Sequence, residues 1–273
     1  MPKLTTPDRV NLNYTDIGSG RPIVMIHGWP LSGAAFADNA KVLAAAGYRV
    51  ITYDRRGFGQ SGKPRDGYDY DTLAADLDAL LTGLDLHDVV LLGFSMGGGE
   101  VARYLATRGS ERVGAAILSG SICPALCITK DNPDGAMPRE GFQELADACA
   151  ADHAGFVDQF CGWFYSNDQG LTVPEEVRQQ AVEIARQSAP HAAVATILTW
   201  TEDLREDCRR IDVPLLVIHG DGDQNVPLAK SSARMPEYAQ QAQLVVIEGG
   251  PHGINVSHAD QWNAAILSFL AGS

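Results

Sequence analysis

Long apolar runs are missing from this chain of 273 residues. A membrane-spanning helix needs roughly 18–20 apolar residues in succession. The longest runs here, such as Val213–Ile218 and Val89–Leu92, are strand-sized. Basic charge is also scarce: 21 Lys and Arg stand against 34 Asp and Glu, a net charge of −13. Such a surface repels phosphate backbones and anionic lipid, which argues against nucleic-acid and membrane partners. Cysteine is sparse and odd in number. Cys123, Cys127, Cys149, Cys161 and Cys208 form no CxxC pair, and no His cluster completes a zinc pattern. Five free thiols in a reducing compartment and no metal site are the expectation. The segment Met1–Pro7 lacks the apolar core of a secretory signal, so a cytoplasmic location joins it. With 45% hydrophobic residues and 20% charged, disorder and a disulfide scaffold are excluded.

What is present is alternation. Pro22–His27, Arg49–Tyr53, Asp88–Leu92, Ala115–Leu118, Val213–His219 and Leu244–Ile247 are continuous β-rich runs, the pattern of strands covered on both faces. Between them the period is helical: Leu73, Leu77, Leu80, Leu81 and Leu84 make one stripe. Val10–Ile17, ending in Gly18-Ser19-Gly20, fits an antiparallel strand and turn. The class is therefore α/β, a mostly parallel sheet flanked by helices. The alternation stops over 121–210, which holds Phe142, Phe156, Phe160, Trp163, Phe164, Tyr165 and Trp200. One helix start is expected there, with Thr172 as N-cap before Val173-Pro174-Glu175-Glu176. Residues 121–210 are thus expected to form a helical cap inserted in a core of 1–120 and 211–273.

Gly93-Phe94-Ser95-Met96-Gly97 matches GxSxG between a strand and the helix Gly98–Arg108. That setting holds a serine on a tight turn with its hydroxyl exposed above the sheet. A serine needs a base, and His252 lies in the glycine-rich loop Glu248–Gly253 beyond the last strand. His219, ending a strand beside a turn, is the alternative. His87, His153 and His191 fall in helical or surface contexts, and His258 follows Ser257 at a helix start. The base needs a carboxylate, and Asp221 and Asp223 both follow the strand Val213–His219. Serine, acid and histidine come in the order of the α/β-hydrolases. Oxyanion donors are expected from the backbone N–H of Met96 and from that of Trp29, since Pro30 has none to give.

His27-Gly28-Trp29-Pro30, the block Tyr53-Asp54-Arg55-Arg56-Gly57-Phe58-Gly59-Gln60-Ser61, Gly67–Thr72, Gly93–Gly99, Val101–Tyr104, His219–Asp223 and Gly250–Gly253 run nearly the whole length of the chain. Through them the sequence resembles the α/β-hydrolase subgroup of cofactor-free haloperoxidases, also described as aryl esterases or perhydrolases, with a γ-lactam hydrolase among its relatives. The one departure is Gly250, where alanine is usual before the proline. The resemblance implies Ser95 as nucleophile, His252 as base and Asp223, not Asp221, as acid, with Trp29 and Met96 at the oxyanion. It makes the Asp54–Ser61 block a structural brace. It also implies short-chain or aryl ester hydrolysis through an acyl-enzyme. Perhydrolysis of an ester or carboxylic acid by hydrogen peroxide would accompany it, with halide oxidation and no cofactor. Proline after the tryptophan goes with stronger perhydrolysis; a cis Trp29–Pro30 bond, open to an X–Pro pair at about 0.5–1 kcal/mol, would turn the Trp29 carbonyl toward the acyl site. A homo-oligomer is a further expectation of the resemblance. The pocket is expected to be apolar, formed by Trp29, Pro30, Phe94, Met96 and Val226, with Phe160, Trp163, Phe164 and Trp200 as the cap candidates. An amidase, γ-lactamase or C–C hydrolase would use the same three residues, and a ligand receptor on this scaffold would retain them without turnover.

Overall fold

The computed structural model describes residues 2–272. Eight strands form one sheet: β1 (Lys3–Thr5), β2 (Asn11–Gly18), β3 (Pro22–Ile26), β4 (Arg49–Tyr53), β5 (Val89–Phe94), β6 (Val113–Ser119), β11 (Leu215–Gly220) and β12 (Ala242–Ile247). Two short ribbons, β7 (Cys127–Ile128) with β8 (Met137–Pro138) and β9 (Ser166–Asn167) with β10 (Gly170–Leu171), account for the numbers between. The main order is β1-β2-β4-β3-β5-β6-β11-β12. Only β1 and β2 run antiparallel to their neighbours; the others pair in parallel.

The central strands β3, β5, β6 and β11 are buried almost throughout, as a sheet covered on both faces requires. The strand β12 is not. Leu244 and Val246, two apart and so on one face, are exposed at 36% and 45%: at this last strand of the sheet that face is left uncovered. The expectation of cover on both faces fails there.

Two groups of helices flank the sheet. Helix α1 (Ala37–Ala45) packs on the C-terminal helix α9 (Ala259–Leu270), and α2 (Tyr70–Gly83) packs on α3 (Met96–Arg108). Helix α2 starts where the Asp69 side chain accepts from Thr72 N–H at 2.8 Å, satisfying one of the orphan donors of the first turn. It buries Leu73, Leu77, Leu80 and Leu81, while Leu84 caps its end half-buried. The stretch between β6 and β11 contains α4 (Arg139–Ala151), α5 (His153–Phe164), α6 (Glu175–Ala185), α7 (Pro190–Thr199) and α8 (Arg205–Arg209). Helix α8 packs against α3. Thr172 does not cap α6: the helix begins after Pro174 without a side-chain cap, and the Thr172 hydroxyl donates to the Tyr165 carbonyl at 2.6 Å. The five cysteines are buried and unpaired. Among the described residues no helix is long and apolar enough to cross a membrane.

Candidate active site

Ser95 occupies the junction of β5 and α3 with φ 55° and ψ −119°. This left-handed conformation is uncommon for any residue but glycine. It projects the hydroxyl over the carboxyl ends of the strands, where open α/β sheets place their ligands. The turn is tight against β3: a Cβ at Gly97 would lie 2.5 Å from the Ile26 carbonyl oxygen, so a side chain there would push strand and helix apart.

The three loops after β5, β11 and β12 converge. His252 Nε2 lies 2.9 Å from Ser95 Oγ, and His252 Nδ1 donates to Asp223 Oδ2 at 2.6 Å. All three residues are buried. The loops carrying Asp223 and His252 touch through Gly220, where a Cβ would collide with the Gly250 carbonyl. Burial by itself pushes the Asp223 carboxyl up, but the His252 imidazole and the His219 hydrogen bond more than reverse this and hold it well below the usual carboxylate range. Its other oxygen accepts the backbone N–H groups of Asn225 and Val226 at 2.9 and 2.8 Å. Asp221 instead accepts Gly249 N–H at 2.6 Å, on the surface. His219 reaches Asp223 but has no bond to Ser95.

Of the remaining histidines, His87 is exposed beside Asp85, His153 meets Ser188 and His191 the Pro64 carbonyl. His258 contacts Ser257. The amides of Trp29 and Met96 donate to no protein acceptor among the described residues, and Met96 N–H opens the first turn of α3, where such donors are free. The Trp29–Pro30 bond is cis.

The loop carrying Trp29 is braced from beneath. Arg55 Nη2 donates to the His27 carbonyl at 2.8 Å, and Arg55 N–H donates to His27 Nε2 at 3.0 Å. The Arg55 guanidinium is itself fixed by Glu100 at 2.9 Å, both side chains fully buried, and Tyr53 hydrogen-bonds the same carboxylate. Asp54 gathers Gly33 N–H at 2.9 Å and Gln60 N–H at 2.8 Å, and Arg56 is paired with Asp76 at 2.6 Å.

A cavity of about 300 Å³ opens over Ser95 and His252. Trp29 and Val226 line it from the loops after β3 and β11, and Ile122 and Leu126 from the segment after β6; Met137, Phe142 and Leu145 come from β8 and α4, Phe160 and Trp163 from α5, and Trp200 follows α7. No Asp, Glu, Lys or Arg lines it. Of the residues expected at the pocket, Trp29, Val226, Phe160, Trp163 and Trp200 line this cavity. Pro30, Phe94, Met96 and Phe164 are not among the lining residues; Phe94 and Phe164 pack against the His252 ring at 5.2 and 4.8 Å between centroids, and Phe94 is buried. Gln224 and Asn225 line the cavity and were missed. The Asp-Gly-Asp turn drew attention to its carboxylates, and only the two positions following Asp223 on a site-facing loop signalled them.

The chain matches the alpha/beta hydrolase fold family over residues 21–259. It is 46% identical over 263 residues to a putative non-heme chloroperoxidase of Synechocystis sp., covering 96% of this chain and 95% of the relative. It is 33% identical to a bifunctional esterase/perhydrolase of Acinetobacter calcoaceticus, covering 98% of each. A bromoperoxidase structure from Bacillus anthracis superposes with a TM-score of 0.96 at 39% identity, covering 99% of each chain. The chain belongs to the alpha/beta hydrolase family, and within it to the group of non-heme haloperoxidases and esterases.

Proposed function

We propose that this hydrolase cleaves neutral short-chain or aryl esters through an acyl-enzyme on Ser95, and passes the acyl group to hydrogen peroxide as well as to water. The continuous Ser95–His252–Asp223 hydrogen-bond chain on the floor of an uncharged cavity carries this reading. His252 takes the Ser95 proton as the hydroxyl attacks the ester carbonyl, and Asp223 holds the resulting imidazolium. The Trp29 and Met96 amides receive the oxyanion; removing one such donor typically costs about 2.7–4 kcal/mol of barrier. His252 then protonates the leaving alcohol, and deprotonates water or hydrogen peroxide as it attacks the acyl carbonyl. Water releases the acid; peroxide releases a peracid. The peracid oxidises a halide ion outside the site, taking up one proton to give carboxylic acid and hypohalous acid, which supports a common chemistry for relatives named as haloperoxidases and as an esterase/perhydrolase. Residues 121–210 serve as the cap that roofs the cavity.

The test is nitrophenyl acetate turnover with and without hydrogen peroxide. Nitrophenol release that persists in Ser95→Ala would remove the assignment of the nucleophile. Peracid formation at the expense of acetate is expected in the parent enzyme, and its absence would leave an esterase without perhydrolysis.

A further inference from the structure

The Asp223 carboxylate faces two imidazoles, and only one of them touches Ser95. Oδ2 accepts from His252 Nδ1 and also lies 3.1 Å from His219 Nε2. His219 is fully buried near the end of β11, four residues before Asp223. Its Nε2 is 2.7 Å from the Val226 carbonyl oxygen, and its Nδ1 is 2.7 Å from the Ser232 hydroxyl. A carbonyl only accepts, so Nε2 carries the proton, and its N–H is shared between Val226 and Asp223. The Ser232 hydroxyl then donates to the bare Nδ1, which fixes that tautomer.

We propose that His219 is a positioning residue for the triad: its N–H locks the rotation of Asp223 that presents Oδ2 to His252, and ties the Val226 wall of the cavity to the same point. The proposal rests on the assignment of Ser95, His252 and Asp223 given above. It predicts an electrostatic signature as well as a geometric one. Four N–H groups share the charge of Asp223, and the three besides that of His252 dilute the pull that the carboxylate exerts on the His252 proton. Among the described residues His252 and His219 are the titratable side chains in hydrogen-bond contact with that carboxylate. Asp221 on the same loop turns to Gly249. Arg234, on the turn carrying Ser232, is engaged by the Ala125 carbonyl and Asn132. His252 also meets Ser95, the rings of Phe94 and Phe164, and the Gly120 backbone, none of them charged.

His219→Leu removes the donor, and His219→Gln returns an N–H at about the reach of Nε2. In His219→Leu, kcat is expected to fall about tenfold, well short of losing the carboxylate itself. The acidic limb of the kcat/KM profile moves to higher pH, because a less shared carboxylate holds the His252 proton more strongly. His219→Gln restores most of both. A His219→Leu profile that superimposes on the parent's, with activity lost only in proportion to folded protein, overturns the proposal. Should His219→Leu not fold, Ser232→Ala decides: it frees the tautomer, and the acidic limb moves the same way by a smaller step or the proposal fails. Turnover surviving in Ser95→Ala would instead refute the underlying assignment, whatever the His219 variants do.

Discussion

At the scale of single residues, Ser95 combines a functional position with a strained backbone. A non-glycine residue at φ 55° and ψ −119° costs on the order of 1–3 kcal/mol. Glycine relieves that strain and alanine does not. Ser95→Gly should therefore be more stable than Ser95→Ala by about 1 kcal/mol, the glycine's larger unfolded-state entropy offsetting part of the gain. Urea midpoints of the two inactive variants check this, and an equal or lower midpoint for the glycine variant would show that the turn is not strained. Asp223 offers a second test. Its carboxyl is depressed in the folded state, so its contribution to stability is complete above the unfolded value of about 3.9 and is lost as pH falls through the folded one. The stability gap between the parent and Asp223→Asn should be widest near neutrality and narrow below about pH 4. A gap independent of pH would contradict the depressed carboxyl.

At the scale of elements, the loop after β3, which carries the proposed oxyanion donor Trp29, is braced by an ion pair drawn from two other elements. Arg55 follows β4 and Glu100 lies in α3, both wholly buried. Burial pushes the Glu100 carboxyl up while Arg55 pulls it back. Removing one member of such a pair strands the other charge in the core, at about 3–5 kcal/mol. Glu100→Ala should lose stability of that order, and kcat should fall with it because Arg55 no longer holds the His27 carbonyl; denaturant unfolding and ester turnover measure the two losses. Stability falling without any change in kcat of the folded fraction would confine the pair to the core. Elements of this sheet were legible because parallel strands bury both faces and leave continuous apolar runs. The run at Leu244–Ile247 looks the same in sequence, yet it forms an edge, since strand order is a property of the whole sheet and not of a window. Thr172 has the composition of a cap, but a competing acceptor at Tyr165 draws its hydroxyl away. Ser95, His252 and the Asp221/Asp223 pair could be found by their positions after strands. The second imidazole on Asp223 could not, because helix and strand periods say nothing of which side chains meet across loops.

At the scale of the whole molecule, the cavity is walled by strand-end loops and by α4 and α5, and Trp29 is one of the side chains that tie these together. Trp29 leaves the loop after β3 and donates its Nε1–H to the Ala193 carbonyl of α7 at 3.0 Å. Its ring meets Phe160 at 4.6 Å, Trp200 at 5.2 Å and Phe156 at 5.9 Å in edge-to-face arrangements. The loop after β3 is thereby joined to α5 and α7 at the wall of the cavity, so on the proposed function packing and binding draw on the same contacts. Trp29→Leu keeps the backbone N–H at position 29 but removes the ring and its hydrogen bond, at a cost of about 2–4 kcal/mol. That loss should be uneven, because opening follows local contact rather than the global fold. Amide exchange should accelerate across α5 and α7 while β5 and β6 stay protected to nearly the parent level. KM for aryl esters should rise more than kcat falls, since the cavity wall is lost while the backbone N–H proposed as oxyanion donor is retained. Uniformly faster exchange through sheet and roof would mean that Trp29 supports the fold as a whole and does not join two parts of it.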